Sequence, residues 1–421
     1  MLRVVCFCQK YIPPFTSGQE RVVTKDTLDP FCRGYSILCS EKLQVIVIMR
    51  VLVGSCGFSL QQTEIQRCSI MKNRTKNPPS AEDGHAPPKQ QYILTETLAG
   101  VLRAIKATGL AIPPAEQIAQ CEKSIREGIG SLMRDRNVDV ISIPLDEQCD
   151  KISTAVHKVR KSSPTATIVS TAPLLSFENG GVCIEMSRIV DLQGKLIGIG
   201  SRPGHPSVER QLARYHAMIN EQPVIVAEDG SFTGSSMQFL LSKLQERRAR
   251  IQAVVLGILF PEAKEAIRKV YKGEIITCFE FSSPLDWMPS HDFVPFMPNG
   301  GRVVGFQMGT NAFPVYLYDG ASVCMPYIMP YGKPDEWAGL PADRHALCGF
   351  SLTCLHLAHD LFAEMEKGNK KDILIADVWD AKPRVSVPVS PASTDLEGPL
   401  DFSDLPERIV RLLHFDMELF S

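Results

Sequence analysis

The sequence predicts an α/β fold built on a mainly parallel, doubly wound sheet, and three observations carry that expectation. From Val138 to Phe281 short β-branched runs alternate with helix-forming stretches, the pattern of parallel strands joined by helical crossovers. Residues 223 to 236, Pro-Val-Ile-Val-Ala-Glu-Asp-Gly-Ser-Phe-Thr-Gly-Ser-Ser, pass from an apolar strand through two carboxylates into a small-residue loop, and the helix-forming run Met237 to Arg250 follows at once. Hydrophobic residues make up 44% of the 421, enough to core one large or two ordinary domains.

In chain order, residues 1 to 91 form an irregular segment without clean periodicity, and its Pro-, Lys- and Asn-rich end, Met71 to Gln91, has the composition of a disordered linker. Apolar residues at helical spacing then predict helices over Thr95 to Thr108 (Leu98, Val101, Leu102, Ile105) and Pro114 to Arg134 (Ile118, Cys121, Ile125, Ile129, Leu132). Val138 to Ile143 is a strand, Lys151 to Lys161 a helix and Thr167 to Ser170 a strand. Val182 to Val190 and Lys195 to Gly200 flank Asp-Leu-Gln-Gly and read as a β-hairpin. Ser207 to Asn220 is a helix, Val224 to Ala227 the strand before the acids, and Ala253 to Leu259, Glu262 to Tyr271 and Glu274 to Phe281 continue the alternation. Beyond Asp292 the chain turns to Pro, Gly and aromatic residues, then offers a helix over Ala342 to Lys367, a strand over Asp372 to Val378, a Pro/Ser linker over Lys382 to Pro399 and a last amphipathic helix over Leu405 to Leu413. The organisation expected is an N-terminal segment to 91, a core over 92 to 320 and a C-terminal α/β appendage over 321 to 421, with a hood packed on the core.

A net charge of −2 and a pI near 6.5 leave no basic footprint for nucleic acid and no polybasic membrane patch. The opening residues lack the charged start, apolar run and cleavage site of a secretory signal, so the thirteen cysteines are expected as reduced thiols in a cytoplasmic protein. Leu43 to Leu60 is the apolar run nearest to a membrane span, but Arg50 at its centre favours a buried strand. Cys348, Cys354, His356 and His359 share one helix without the two-element spacing of a structural zinc site, so no metal-ligating set is assigned.

The informative chemistry lies at residues 228 to 236. In an open α/β sheet ligands bind at the carboxyl edge, and unpaired N–H groups with a helix dipole favour a phosphate there. Glu228 and Asp229 cannot face that phosphate, since like charges repel, and are expected exposed at the strand end, facing sugar hydroxyls or a phosphate-bound Mg²⁺. Gly230, Ser231, Thr233, Gly234, Ser235 and Ser236 form the phosphate cradle. The plainer reading of the same residues is an Asp-Gly turn into a Ser/Thr-capped helix, which needs no ligand.

This stretch resembles the phosphoribosyl-pyrophosphate (PRPP) signature of the type I phosphoribosyltransferases: apolar strand, two acids, three variable residues, Thr-Gly, a small residue and a hydroxyl, here Glu228-Asp229, Thr233-Gly234 and Ser236. It departs in carrying Glu as the first acid and Phe232 where hypoxanthine-guanine enzymes of the family carry Asp, which takes support away from a 6-oxopurine acceptor. The resemblance implies Glu228 and Asp229 on the ribose hydroxyls, the loop on the 5′-phosphate, and Mg²⁺ on PRPP or another ribose phosphate. It implies a pyrophosphate loop at Ser170-Thr171-Ala172-Pro173, with Thr171 on the substrate, and a mobile loop at Ser201 to His205 whose Arg202 and His205 close over the leaving group as catalytic residues. Phe293, in His291 to Phe296, is the candidate to stack on a base. The implied activity, in nucleotide metabolism, is transfer of phosphoribose to an unidentified nitrogen acceptor with release of pyrophosphate, with room for a homodimer. A PRPP- or nucleotide-sensing regulator without turnover and a ligand-free protein-interaction module remain the alternatives.

Overall fold

Ten residues of one strand set the layout. The computed structural model describes residues 89–378 and 408–420, apart from 176, 178–180, 191–194, 204, 305, 309–310, 314–322 and 419. The described residues belong to one unit, His85–Ser421. The readings placed on residues 1–88, Leu43 to Leu60 among them, and on the Lys382 to Pro399 linker lie outside the described residues.

In chain order the elements are β1 (Gln90–Glu96), α1 (Leu98–Ala107), α2 (Ala115–Met133), β2 (Val138–Pro144), α3 (Leu145–Ser162), β3 (Thr167–Ser170), β4 (Val182–Cys183), β5 (Met186–Val190) and β6 (Leu196–Ser201). There follow α4 (Val208–Arg214), α5 (His216–Ile219), β7 (Pro223–Ser231), α6 (Ser235–Glu246), β8 (Arg250–Leu259), α7 (Pro261–Val270), β9 (Glu274–Phe279) and β10 (Pro284–Pro289). The rest comprises β11 (Arg302–Val304), β12 (Phe306–Met308), β13 (Asn311–Phe313), β14 (Val323–Met325), α8 (Pro334–Trp337), α9 (Arg344–Asn369), α10 (Ile375–Val378) and α11 (Ile409–Glu418).

The ten-residue β8 and the nine-residue β7 are central in a five-stranded sheet of order β4-β3-β7-β8-β9, in which every pairing is parallel. Their near-continuous apolar runs suit a strand covered on both faces. Val224 and Val226 of β7 pack with Met237, Leu240, Leu241 and Leu244 of α6, which recur at helical spacing, and with Ile267 of α7. Ile225 and Ala227, pointing the other way, pack with Ile152, Val156 and Val159 of α3. The chain is therefore α/β with mainly parallel sheets.

A second, three-stranded parallel sheet has the order β10-β1-β2, and a mixed one the order β14-β11-β5-β6, with β5 and β6 antiparallel; the first hairpin strand expected over Val182 to Val190 is split, Val182–Cys183 pairing with β3 in the five-stranded sheet. Strand β1 is not among the elements expected from the sequence: Gln-Gln-Tyr-Ile-Leu-Thr-Glu follows the linker directly and becomes a strand because parallel partners flank it on both sides. The first helix accordingly starts at Leu98 instead of Thr95. The helix over Ser207 to Asn220 is broken at Tyr215 into α4 and α5. Asp372 to Val378 is not a strand: a lone bridge joins Leu374 to Arg408, and the Asp377 carboxylate accepts the Leu374 N–H at 2.8 Å, starting the short helix α10.

The C-terminal residues share one apolar core with α1 and α2. Leu347, Phe350, Leu355, Phe362 and Met365 of α9 lie in a single cluster with Leu102, Ile105, Ile125 and Ile129, so packing is continuous across the boundary expected at residue 320. By length and composition α9 could cross a membrane. Its apolar face is instead buried in that cluster.

Candidate functional site

Strand β7 does not stop at Ala227. It runs through the acid pair, with Glu228 in register with Leu256, Gly230 with Ile258 and Ser231 with Leu259, because β8 is long enough to supply ladder partners that far. The acids are therefore held in the sheet instead of emerging from it: Glu228 is 8% exposed and Asp229 half-buried, a correction to the exposed strand-end placement. Strand β3 lies directly beside β7, with Ser170 opposite Ala227, so the next residue, Thr171, falls beside Glu228. The Thr171 hydroxyl donates a hydrogen bond to Glu228 Oε2. Gln148 Nε2 of α3 donates to the Asp229 carbonyl at 2.9 Å, and Asp229 Oδ1 accepts the Gly230 N–H at 2.8 Å. Gly230 has no side chain for a reason visible in the packing: a Cβ would fall 2.6 Å from the Trp287 ring.

The loop beyond is anchored at its apolar residue. Phe232 sets its ring edge-on to Phe260, centroids 4.5 Å apart, against Ile93 and Ile143. Thr233 Oγ1 and Ser235 Oγ are 3.0 Å apart, and both residues, with Ser236, are half-buried. Gly234 precedes α6 at φ +78°, and a Cβ there would come within 2.8 Å of Ala266 and 3.0 Å of the Ala263 carbonyl, so glycine satisfies both the turn and the close approach of α7. No side chain caps α6. Its first-turn N–H groups lack intrahelical acceptors, as in every α-helix, and only Phe232, Thr233 and Gly234 separate α6 from β7.

Arg202 is the cation of this edge. Its Nε lies 3.5 Å from Glu185 Oε2 and its backbone N–H donates to the Glu185 carbonyl at 3.1 Å. Gln211 ties the turn down by accepting the Glu185 N–H at 2.8 Å and donating to the carbonyls of Glu185 (3.0 Å) and Pro206 (2.8 Å). Arg202 thus departs from the expected mobile loop: it is largely buried and ion-paired. His205 is half-buried, its N–H donating to the Arg202 carbonyl at 3.2 Å, and Gly204 between them is outside the described residues.

Electrostatics bind these groups into one cluster. Burial pushes Glu228 well above the usual carboxylate range, and neighbouring Asp229 pushes it further. Asp229 is raised by burial as well. Burial opposes the charge of Arg202, but Glu185, Asp229 and Glu228 outweigh it and raise the guanidinium pKa. Asp292 is lifted to about 7 by burial despite accepting the Gly301 N–H at 2.7 Å. His291, buried and near Arg202, falls to about 3 and stays neutral, with Nδ1 2.7 Å from the Thr97 hydroxyl. Several carboxyls share one largely buried cation, an arrangement able to hold protons or to take up further positive charge.

Phe293 is placed differently from the expectation. It is fully buried, edge-on to Tyr327 and Phe350, and packs in the core instead of presenting a face to a base. Among the described residues no three His, Cys, Asp or Glu side chains converge as a metal site, and Cys354 sits in the core with its thiol pushed up by burial. Glu228 and Asp229 would therefore meet a Mg²⁺ only as one that arrives on phosphate oxygens and water. Sequence reasoning misses Glu185, Gln148, Trp287 and Asp292. Asp292 lies inside the His291 to Phe296 segment, where the reading falls on Phe293; the other three belong to no local motif, and each of the four comes from a different segment. No protein-family model, no curated protein and no solved structure matches the chain.

Proposed function

We propose that the carboxyl edge of the five-stranded sheet binds PRPP, and that the chain is a phosphoribosyltransferase-like protein of doubly wound type in which β1, β10 and the C-terminal helices serve as the hood. The observation that carries this reading is the meeting of Thr171 with Glu228 at the ends of adjacent parallel strands, followed by an uncapped helix N-terminus. One strand end offers a hydroxyl toward a pyrophosphate, the next offers carboxylates toward ribose hydroxyls, and the loop Ser231 to Ser236 offers N–H and hydroxyl donors to a 5′-phosphate. In the transfer, the C1–O bond to pyrophosphate breaks as a C1–N bond forms. Once a bound cation draws the protons off Glu228 and Asp229, their carboxylates would stabilise the positive charge that builds on the sugar, as fixed charges do in other active sites. A bound Mg²⁺ would neutralise pyrophosphate oxygens. Arg202, behind the acids, would hold Asp229 and Glu228 in place.

A specific observation favours a second reading. Arg202 is already paired with Glu185, as a sensor without turnover allows and a closing cationic loop does not require. Calorimetric titration with PRPP and Mg²⁺ tests the shared premise: binding is expected, weakened at least tenfold in a Glu228→Gln, Asp229→Asn double variant that keeps its fold. Absence of heat at millimolar ligand would remove both readings. Pyrophosphate release with a panel of bases and amines then separates enzyme from sensor.

A further inference from the structure

We propose that the outer edge of β9 is a dimer interface, where two copies of the chain pair antiparallel about a two-fold axis through Ile276 and continue the five-stranded sheet across both, independently of the PRPP reading. Strand β9 ends the order β4-β3-β7-β8-β9. Its inner side pairs with β8, Ala253 opposite Glu274 and Ile258 opposite Phe279, and among the described residues no strand pairs with its outer side. Strand β8 is buried from Ala253 to Ile258, whereas Ile275 to Phe279 all keep partial exposure.

Open strand edges are usually blunted by a charge or a proline in the strand, because their unpaired N–H and C=O groups otherwise recruit another chain. Strand β2, at the edge of the three-stranded sheet, follows that rule: it carries Asp139, paired with Lys89, and ends on Pro144. Strand β9 does not. Between Glu274 and Glu280 run Ile275-Ile276-Thr277-Cys278-Phe279, β-branched and aromatic residues with no charge, proline or glycine among them. Their side chains are already engaged by the layers on either face, Ile275 in the cluster of α6 and α7 and Ile276 and Cys278 in that of α3. The strand is therefore held straight for pairing, and what its edge still offers is backbone.

The residues flanking the strand select the occupant. With Ile276 opposite itself, Lys272 of each copy falls opposite the partner's Glu280, so the pair forms twice, once at each end of the ladder. Both residues are exposed, and neither forms an ion pair with any described residue; the Lys272 ammonium donates to the Arg268 carbonyl of its own chain. Opposite charges across a strand pair stabilise it and like charges destabilise it. A parallel pairing in register would set lysine on lysine, and a slip of one residue would lose both pairs. The charges thus favour one antiparallel register, and a second copy of this chain supplies both halves of it.

Sedimentation of the full chain over about 1–100 µM is expected to show a monomer–dimer equilibrium, the range in which a modest interface is visible. Amide exchange over Ile275 to Phe279 should slow as the concentration rises. Thr277→Lys sets a charge opposite the partner's Ile275 and should leave a monomer with concentration-independent exchange. Lys272→Glu and Glu280→Lys each turn two attractions into repulsions and should each raise the dimer dissociation constant about fivefold or more. The Lys272→Glu, Glu280→Lys double variant restores opposite charges and should return to within about twofold of the unaltered chain. A monomer throughout the range, a dimer indifferent to Thr277→Lys, or a double variant no tighter than either single variant would each overturn the proposal. If Thr277→Lys does not fold, the two charge reversals, both at exposed positions, and their combination decide it.

Discussion

The helical layer and the carboxyl edge of the five-stranded sheet are both well buried, yet they are held by opposite physics. In the layer, α9 fills the space against α1 and α2 with Phe350, Leu355, Leu361, Phe362 and Met365. Gly128 of α2 has no Cβ because one would fall 2.7 Å from the Phe350 ring. The ionisable group buried in α2, Glu122, serves the backbone, since its Oε1 accepts the Leu98 N–H at 2.7 Å and satisfies the start of α1. At the edge, Glu185, Arg202, Glu228, Asp229 and Asp292 instead depend on one another. The layer draws stability from apolar area, whereas the edge spends stability on polarity that no packing requirement explains. Buried polar groups of that kind concentrate at functional sites.

The largest effect is expected in the layer. Phe362→Ala empties a fully buried position and should cost about 3–5 kcal/mol, read as a fall in the urea midpoint, with ligand binding by the folded fraction unchanged. If binding were lost in step with stability-corrected folding, the two regions would not be separable.

Next comes Arg202→Met, which strands the acids without their cation and should cost about 3 kcal/mol at pH 8. The loss should shrink as the pH is lowered, because burial raises Glu228, Asp229 and Asp292, the last to about 7, and a protonated carboxyl needs no cation. A pH-independent loss would show that Arg202 acts only through packing.

Glu122→Gln probes the one buried acid of α2 in the same way. Burial raises Glu122 from an ordinary 4.5 to about 7, so the folded state holds a proton that the unfolded state releases across that window. Its contribution is complete below about 4.5 and is lost as the pH rises toward 7, a change of about 3 kcal/mol. The Gln variant should gain on the parent by that order between pH 4 and pH 8, measured by urea unfolding at each pH. A constant difference would mean that Glu122 does not titrate in the window.

The smallest effect is expected at Thr171→Val, which removes the hydroxyl on Glu228 at nearly constant volume and should cost about 1–2 kcal/mol. PRPP binding should weaken beyond what that destabilisation explains. Unchanged binding would leave Thr171 as a strand-end hydrogen bond alone.

Much of the fold can be read directly from local pattern. The apolar spacing of Ile118, Cys121, Ile125 and Ile129, and of Met237, Leu240, Leu241 and Leu244, marks α2 and α6, and the β-branched run of β7 marks a strand covered on both faces. Glu228, Asp229 and Thr233 to Ser236 stand in the chain where their chemistry is visible, because strand, loop and helix are contiguous there. Long-range pairing decided the rest. Gln90–Glu96 is a strand because β2 and β10 flank it, and the acids lie inside β7 because β8 continues beside them. Phe293 is core because Tyr327 and Phe350 close around it. Arg202 faces Glu185 across a separation that no periodicity records. Local sequence sets what a segment prefers to be, through side-chain spacing and backbone propensity. The charge each buried group meets is set by neighbours from distant segments, and only the assembled sheets bring those together.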